Sequence, residues 1–276
     1  MKTVEMGGTL VPALGQGTWN IGDSSATRAA EIATLRRGVE CGMTLIDTAE
    51  MYGPGRSESL IGEAIAGLRE RVYLVSKVLP SNASFEGTVR ACEASLKRLC
   101  TDALDLYLLH WRGRYPLQET VRAFESLMKQ GKIRAWGVSN FDAEDMEELF
   151  STHGGTACAA NQVLYNPEHR GIEHDLLPWC GQNGVTVMAY SPVGQGGRLL
   201  SNSAIRGVAQ KHGVSAAQAA LAWCLRQALI AIPKASSVRH VEENAAAVGL
   251  ELDADDLAAI DRVYPPPKRK QPLEML

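Results

Sequence analysis

Leu104-Asp-Leu-Tyr-Leu-Leu-His110 is an apolar run that ends on an imidazole. Two other runs share the design. Met43-Thr-Leu-Ile-Asp47 ends on a carboxylate, and Val72-Tyr-Leu-Val-Ser-Lys77 ends on an amine. Tyr52 follows the first of these by one short loop. Short apolar runs separated by longer amphipathic segments read as strands of a parallel sheet. Ionisable groups at the carboxyl ends of such strands converge on one face, where α/β barrels do their chemistry. Asp47, Tyr52, Lys77 and His110 gathered there form a proton-transfer device. Singly, each has an ordinary explanation: Asp47 as a turn opener, Lys77 as a surface residue, His110 as a hydrogen-bonded interior histidine, Tyr52 as rim packing. All four together at successive strand ends are better explained by one site.

Working outward, apolar runs recur at Ile133–Ser139, Ala159–Val163, Val185–Tyr190 and Leu229–Pro233. Pro12-Ala-Leu-Gly-Gln-Gly-Thr18 is a weaker first strand, which brings the total to eight. Segments of helical period lie between them, among them Ala26–Cys41, Phe85–Leu99, Glu119–Gln130 and Ala216–Arg226. This alternation calls for parallel strands with crossover helices, and eight units are the count of a closed (β/α)8 TIM barrel. A doubly wound open sheet is the rival α/β architecture. No Pro/Gly/Ser-rich linker divides the chain, so residues 1–276 read as a single domain. Met1–Leu10, turned by Gly7-Gly8, reads as a β-hairpin ahead of the first strand. The tail Tyr264-Pro-Pro-Pro-Lys-Arg-Lys cannot continue a helix and reads as a surface segment near the barrel mouth.

Of 276 residues, 45% are hydrophobic and 21% charged, and the net charge is −3, which excludes nucleic acid or an anionic membrane as the expected partner. No run reaches the 18 apolar residues of a membrane span, and the first residues lack the apolar core of a signal peptide. The six cysteines form no Cys-x-x-Cys pair, which points to free thiols and the cytoplasm. The six histidines show no ligand spacing, so no metal is expected. Nothing in the sequence asks for more than a monomer.

Taken together, these motifs resemble the aldo-keto reductase family, specifically its bacterial methylglyoxal-reductase-type members. Leu45-Ile-Asp-Thr-Ala-Glu-Met-Tyr-Gly53 is similar to the family's first signature. Leu106-Tyr-Leu-Leu-His-Trp111 resembles the strand carrying its histidine. Gly137-Val-Ser-Asn-Phe141, Ala189-Tyr-Ser-Pro192, Ile232-Pro-Lys234 and Glu243-Asn244 resemble its cofactor segments. The likeness covers nearly the whole chain in order. It implies NADPH-dependent reduction of a small carbonyl compound, with NADH a weaker substitute.

Such a reduction needs a hydride to carbon and a proton to oxygen, and the cofactor supplies the first. A free tyrosine, with a pKa near ~10, is a poor acid at neutral pH. A nearby ammonium would lower that value, and Lys77 is the candidate. Asp47 would hold Lys77 in place and charged. His110 would orient the carbonyl and donate to its oxygen. Tyr52 is therefore the expected general acid. A nucleotide-binding regulatory subunit with little turnover and a Schiff-base enzyme using Lys77 as nucleophile are the alternative functions.

Gly15-Gln-Gly17 begins like a dinucleotide fingerprint, but the third glycine and the immediate helix are missing, so a Rossmann site is disfavoured. The resemblance implies a different arrangement. Ser139, Asn140 and Gln162 would bind the nicotinamide carboxamide, and Tyr190 would stack on its ring. Ser191, Pro192, Val193, Gly194 and Gln195 would wrap the pyrophosphate, with Gly194 allowing close backbone approach and Arg198 adding charge. Gly17, Thr18 and Trp19 fall on the cofactor side of the pocket. Lys234-Ala235-Ser236 followed by a helix start makes a phosphate cradle suited to the 2′-phosphate of NADPH. Glu243 and Asn244 fall where the family contacts adenine. The position that resemblance assigns to an arginine holds His240 here, and Arg239 precedes it, pointing about 100° away on the helix. Trp19 and Trp111, with Tyr52, would line the substrate space. The short loop Trp111–Pro116 leaves that pocket open, which suits 2-oxoaldehydes such as methylglyoxal and aromatic aldehydes.

Overall fold

The computed structural model describes residues 1–276. A two-stranded antiparallel hairpin, β1 (Thr3–Met6) and β2 (Thr9–Pro12), precedes eight parallel strands. These are β3 (Gln16–Gly17), β4 (Leu45–Asp47), β5 (Tyr73–Val78), β6 (Leu104–Leu109), β7 (Ile133–Ser139), β8 (Ala160–Leu164), β9 (Thr186–Tyr190) and β10 (Ile230–Ile232). Each pairs with its neighbour in chain order. Parallel bridges from Leu14 to Ala231 and from Gly17 to Lys234 join the first strand to the last. Backbone bonds from Gly15 N to Ala231 O (2.8 Å) and from Gly17 N to Pro233 O (3.0 Å) complete the closure. The sheet is a closed barrel, and the open-sheet alternative is set aside.

Regular strand at β3 is limited to two residues of the expected Pro12–Thr18 run. That run carries two glycines and no β-branched residue before Thr18, so it has little to pack as a strand. Gly17 is nonetheless required, because a Cβ there would lie 2.8 Å from the Ile232 carbonyl oxygen.

The outer layer comprises α1 (Arg28–Glu40), α2 (Arg56–Ala64), α3 (Phe85–Leu99), α4 (Leu117–Lys129), α5 (Ala143–Ser151), α6 (Leu176–Gln182), α7 (Arg198–Ser201), α8 (Ser203–His212), α9 (Ala216–Cys224), α10 (Val238–Ala246) and α11 (Ala254–Val263). Starts are set by side chains that satisfy orphan amide donors: Ser84 for α3, Ser215 with Gln218 for α9, and the Asp142–Asp145 and Asp253–Asp256 boxes for α5 and α11.

Side-chain alternation decides what the barrel interior contains. Leu45, Val75, Leu106, Leu108, Ala160, Met188, Ile230 and Ile232 belong to one buried interior cluster. Ile46, Leu74, Val78, Tyr107 and Leu109 face outward into the larger core beneath the helices. The hairpin closes the amino-terminal end: its Met6 and Val11 join the interior cluster as a plug. Its two turn glycines both have positive φ (57° and 79°), the backbone of a type I′ turn. The hairpin runs to Pro12, two residues beyond the expected Leu10. No helix is long and apolar enough to cross a membrane.

Candidate active site

Two residues further along each inward row, the chemistry changes. Leu45 is followed by Asp47, Val75 by Lys77, Leu108 by His110, Ala160 by Gln162 and Met188 by Tyr190. The period of two that packs the interior thus delivers polar groups to the carboxyl-end mouth. Tyr52 arrives from the loop after β4. That loop is tied to the next one through Glu50, whose Oε1 accepts from Leu79 N (2.7 Å) and Asn82 Nδ2 (3.0 Å).

The four residues singled out in the sequence meet in space. Lys77 is fully buried and donates to Asp47 Oδ2 (2.8 Å), the Thr48 carbonyl (2.8 Å) and Tyr52 Oη (3.2 Å). An ammonium has three donors, and all are spent. Tyr52 therefore accepts from Lys77, and its own proton is left to point elsewhere. Asp47 Oδ1 accepts from Gln162 Nε2 (2.7 Å), so the carboxylate is held at both oxygens. Burial by itself would lower the Lys77 ammonium; Asp47 and Tyr52 beside it together reverse this and hold it above the ordinary lysine value. A permanently charged amine is no nucleophile, which removes the basis for a Schiff-base reading.

Tyr52 departs from expectation. Burial raises its hydroxyl above the ordinary tyrosine value, although Lys77 pulls in the opposite direction. The expected net lowering does not occur, because Tyr52 sits too deep for the ammonium to win. The phenol is held protonated, the form an acid must have.

The imidazole of His110 lies edge-on to the Tyr52 ring, with centroids 5.9 Å apart. Burial, reinforced by the Lys77 charge, lowers its pKa to about 2, so the ring is neutral. Its Nδ1 is buried without a partner. An orphaned acceptor is less costly than an orphaned N–H, so the single proton belongs on Nε2. The site thus presents two neutral donors, Tyr52 Oη–H and His110 Nε2–H, to one region of the mouth.

The expected carboxamide residues adjoin this region. Ser139 Oγ donates to the Gln162 carbonyl (2.8 Å), and Asn140 Nδ2 bonds Ser139 Oγ (3.1 Å) and the His110 carbonyl (3.1 Å). Tyr190 Oη donates to Asn140 Oδ1 (3.0 Å), which fixes the plane of the Tyr190 ring. Asn140 (φ 58°), Ser191 (φ 49°) and Gln195 (φ 54°) all adopt the left-handed conformation. Non-glycine residues held so cluster at ligand clamps. Pro192 is buried, Val193 half-buried, and the Ser191 carbonyl is anchored by Asn166 Nδ2 (2.9 Å).

On the other side of the mouth, Lys234 and Ser236 are exposed, Ala235 is buried, and Ser237 caps α10 by accepting from His240 N (3.3 Å). Ser236 Oγ lies 3.4 Å from His240 Nδ1. Arg239 is 84% exposed along its side chain and bonded to Glu243 (2.8 Å). Asn244 is buried. The donor set of amides, hydroxyls, a free lysine and a capped helix start fits a dinucleotide carrying an extra phosphate.

The tail was expected near the mouth; the side chains that anchor it were not legible in the sequence. The tail after α11 is a wall of the mouth: Arg170 Nη1 holds the Tyr264 carbonyl (2.6 Å), Lys270 pairs with Glu144, and Glu274 bonds His169 (2.9 Å). The Leu276 backbone reaches Tyr190. Trp19 and Met51 stand exposed at the rim (47% and 40%), with Trp111 half-buried. Arg112 pairs with Glu148 (2.9 Å) and bonds the Gly113 and Tyr115 carbonyls, bracing the loop after Trp111.

Comparison with known proteins agrees with this geometry. The model of the aldo/keto reductase family matches residues 13–265. The chain is 53% identical to the methylglyoxal reductase YeaE of Escherichia coli K12, across 100% of this chain and 99% of that protein. It is 36% identical to the glyoxal reductase of Bacillus subtilis strain 168, across 92% and 89%. An aldo/keto reductase of Klebsiella pneumoniae, solved with NADP and acetate, superposes with a TM-score of 0.98 at 54% identity, covering 100% of this chain and 99% of that one. A barrel with this tetrad at its mouth, matched end to end by NADP-binding carbonyl reductases, belongs to the aldo/keto reductase family.

Proposed function

We propose that the protein reduces small aldehydes and ketones, above all 2-oxoaldehydes such as methylglyoxal, with Tyr52 as the general acid. Bound NADPH supplies the hydride. Tyr52 passes its proton to the carbonyl oxygen, and the product is an alcohol. Lys77 stabilises the phenolate left behind, and Asp47 holds Lys77. Neutral His110 donates from Nε2 to the same oxygen and so orients it. The observation carrying this reading is that Lys77 has no donor left over, which leaves the Tyr52 proton free for the substrate. The regulatory-subunit alternative is not favoured by the methylglyoxal and glyoxal reductases to which the chain is similar.

Substrate size follows from the rim. Trp19, Met51 and Trp111 make apolar walls around a mouth without a long lid, which suits small or flat carbonyls. The same two activities, on methylglyoxal and glyoxal, name the Escherichia coli and Bacillus subtilis relatives.

For the cofactor, Ser139, Asn140 and Gln162 would hold the carboxamide, Tyr190 would floor the ring, and Ser191–Gln195 would cover the pyrophosphate. The 2′-phosphate would meet Lys234, Ser236 and His240. Arg239, tied to Glu243, would contribute little. We further place the protein in the cytoplasm as a single-domain monomer, on its free cysteines and a chain that no linker divides.

The test is NADPH oxidation followed with methylglyoxal, 4-nitrobenzaldehyde and a bulky steroid ketone, repeated with NADH. Turnover should be highest for the first two and weak for the third. Rapid steroid reduction, or no carbonyl turnover at all, contradicts the reading.

A further inference from the structure

Ser57, the second residue of α2, is wholly buried beside the tetrad and has no part in the chemistry derived above. Its backbone N–H donates to the Tyr52 carbonyl (3.3 Å). Its Oγ lies 2.9 Å from Thr18 Oγ1, 3.2 Å from the Thr18 carbonyl and 3.0 Å from Thr48 Oγ1. Thr18 and Thr48 are also fully buried. The proton directions in this cluster are determined. Thr18 Oγ1 gives its proton to the Asp47 carbonyl (2.8 Å), so it accepts from Ser57. Ser57 has one proton and spends it on Thr18, so it accepts from Thr48. The hydroxyls run in one direction, Thr48 to Ser57 to Thr18 to Asp47.

Each end of the chain touches the tetrad. The Thr48 carbonyl is the second acceptor of Lys77. Thr18 bonds the backbone of Asp47, and the Ser57 hydroxyl ties to both threonines the helix start whose own backbone N–H holds the Tyr52 carbonyl. We propose that Ser57 is a positioning residue for carbonyl reduction, locking the backbones that carry Asp47, Tyr52 and the Lys77 acceptor into one unit. This rests on Tyr52 being the acid. In a buried network every member has its partners or the whole loosens. The Lys77 to Tyr52 contact, at 3.2 Å already the longest of the three Lys77 bonds, is the one that slackening would break first.

The experiment compares Ser57→Ala, Thr48→Val, Tyr52→Phe and Ser95→Ala. Ser95 is an equally buried serine on α3, bonded to Arg98 and to none of the four tetrad residues. For each we would measure kcat, KM, NADPH affinity by fluorescence, the pH profile of kcat and the thermal midpoint. A misplacement of reacting groups by a fraction of an ångström should lower kcat by about 10- to 100-fold in Ser57→Ala, with KM and NADPH affinity within about 2-fold. With Lys77 less able to pull Tyr52 down, the alkaline limb of the profile should move to higher pH. Thr48→Val, which removes one end of the chain, should show a smaller shift of the same kind, and it stands in if Ser57→Ala does not fold. Ser95→Ala should lower the midpoint alone. The proposal is overturned if Ser57→Ala loses stability as Ser95→Ala does while kcat and its pH profile stay as in the wild type. If Tyr52→Phe retains full turnover, the acid assignment itself has failed, whatever Ser57 does.

Discussion

The two ends of the barrel are built from the same strands and the same inward rows, yet they do opposite things. At the amino-terminal end Leu45, Val75, Leu106 and Met188 close on Met6 and Val11 of the hairpin with no polar side chain among them. At the carboxyl end the inward rows finish on Asp47, Lys77, His110, Gln162 and Tyr190. The first end is stabilised by burial of apolar surface, which is non-directional and tolerant. The second buries a charge pair and an orphaned imidazole nitrogen, arrangements that weaken a fold unless something else requires them. The comparison teaches that the plug supplies the stability that lets the mouth remain polar.

The sharpest way to break this comparison is at Lys77. Lys77→Met alone strands Asp47 in the interior and should cost about 3–5 kcal/mol of stability, along with nearly all turnover. The double variant Asp47→Leu/Lys77→Met should recover most of that stability in urea unfolding and none of the turnover. Recovery of both would mean the charges are structural. At the opposite end, Leu106→Ala should cost about 2–5 kcal/mol while the folded fraction keeps its kcat. A large kcat loss there, at full occupancy of the fold, would erase the division between the ends.

His110 gives a pH-dependent test. Its folded pKa of about 2 lies below the ordinary histidine value near 6.5, so the unfolded chain takes up the proton first. The associated stability is whole above pH ~6.5 and drains as pH falls, by up to about 1.4 kcal/mol per unit. Between pH 7 and pH 5 the wild type should lose about 2 kcal/mol more than His110→Gln, as read by denaturant midpoints. Equal slopes would show that the imidazole is not held neutral. The smallest effect belongs to the helical shell: Asp142→Ala, which removes the α5 cap, should cost about 1 kcal/mol and leave kcat alone.

Much of this was readable from residue order because strand period and strand end coincide. His110, Lys77 and Asp47 each follow an apolar inward neighbour by two positions, so their convergence is fixed by alternation once the barrel is recognised. The first strand was harder, since closure at Gly15 and Gly17 depends on close approach to β10 and not on side-chain pattern. The Thr18–Ser57–Thr48 chain was invisible for a related reason. Its bonded members lie 39 and 9 residues apart, and serine near a helix start reads as an ordinary helix-start residue. The sign of the Tyr52 shift was also beyond the sequence, because it depends on burial, helped by Asp47, outweighing the pull of Lys77. The tail's course over the mouth is set by Arg170, Glu144 and His169, none of which its own prolines and lysines announce.

The central claim is that the proton comes from Tyr52. It is tested most directly by NADPH oxidation with methylglyoxal in Tyr52→Phe beside the wild type, with NADPH affinity measured in both. Tyr52→Phe should lose about 10²- to 10⁴-fold in kcat with affinity for NADPH retained. A Tyr52→Phe protein that turns over methylglyoxal at the wild-type rate would contradict it.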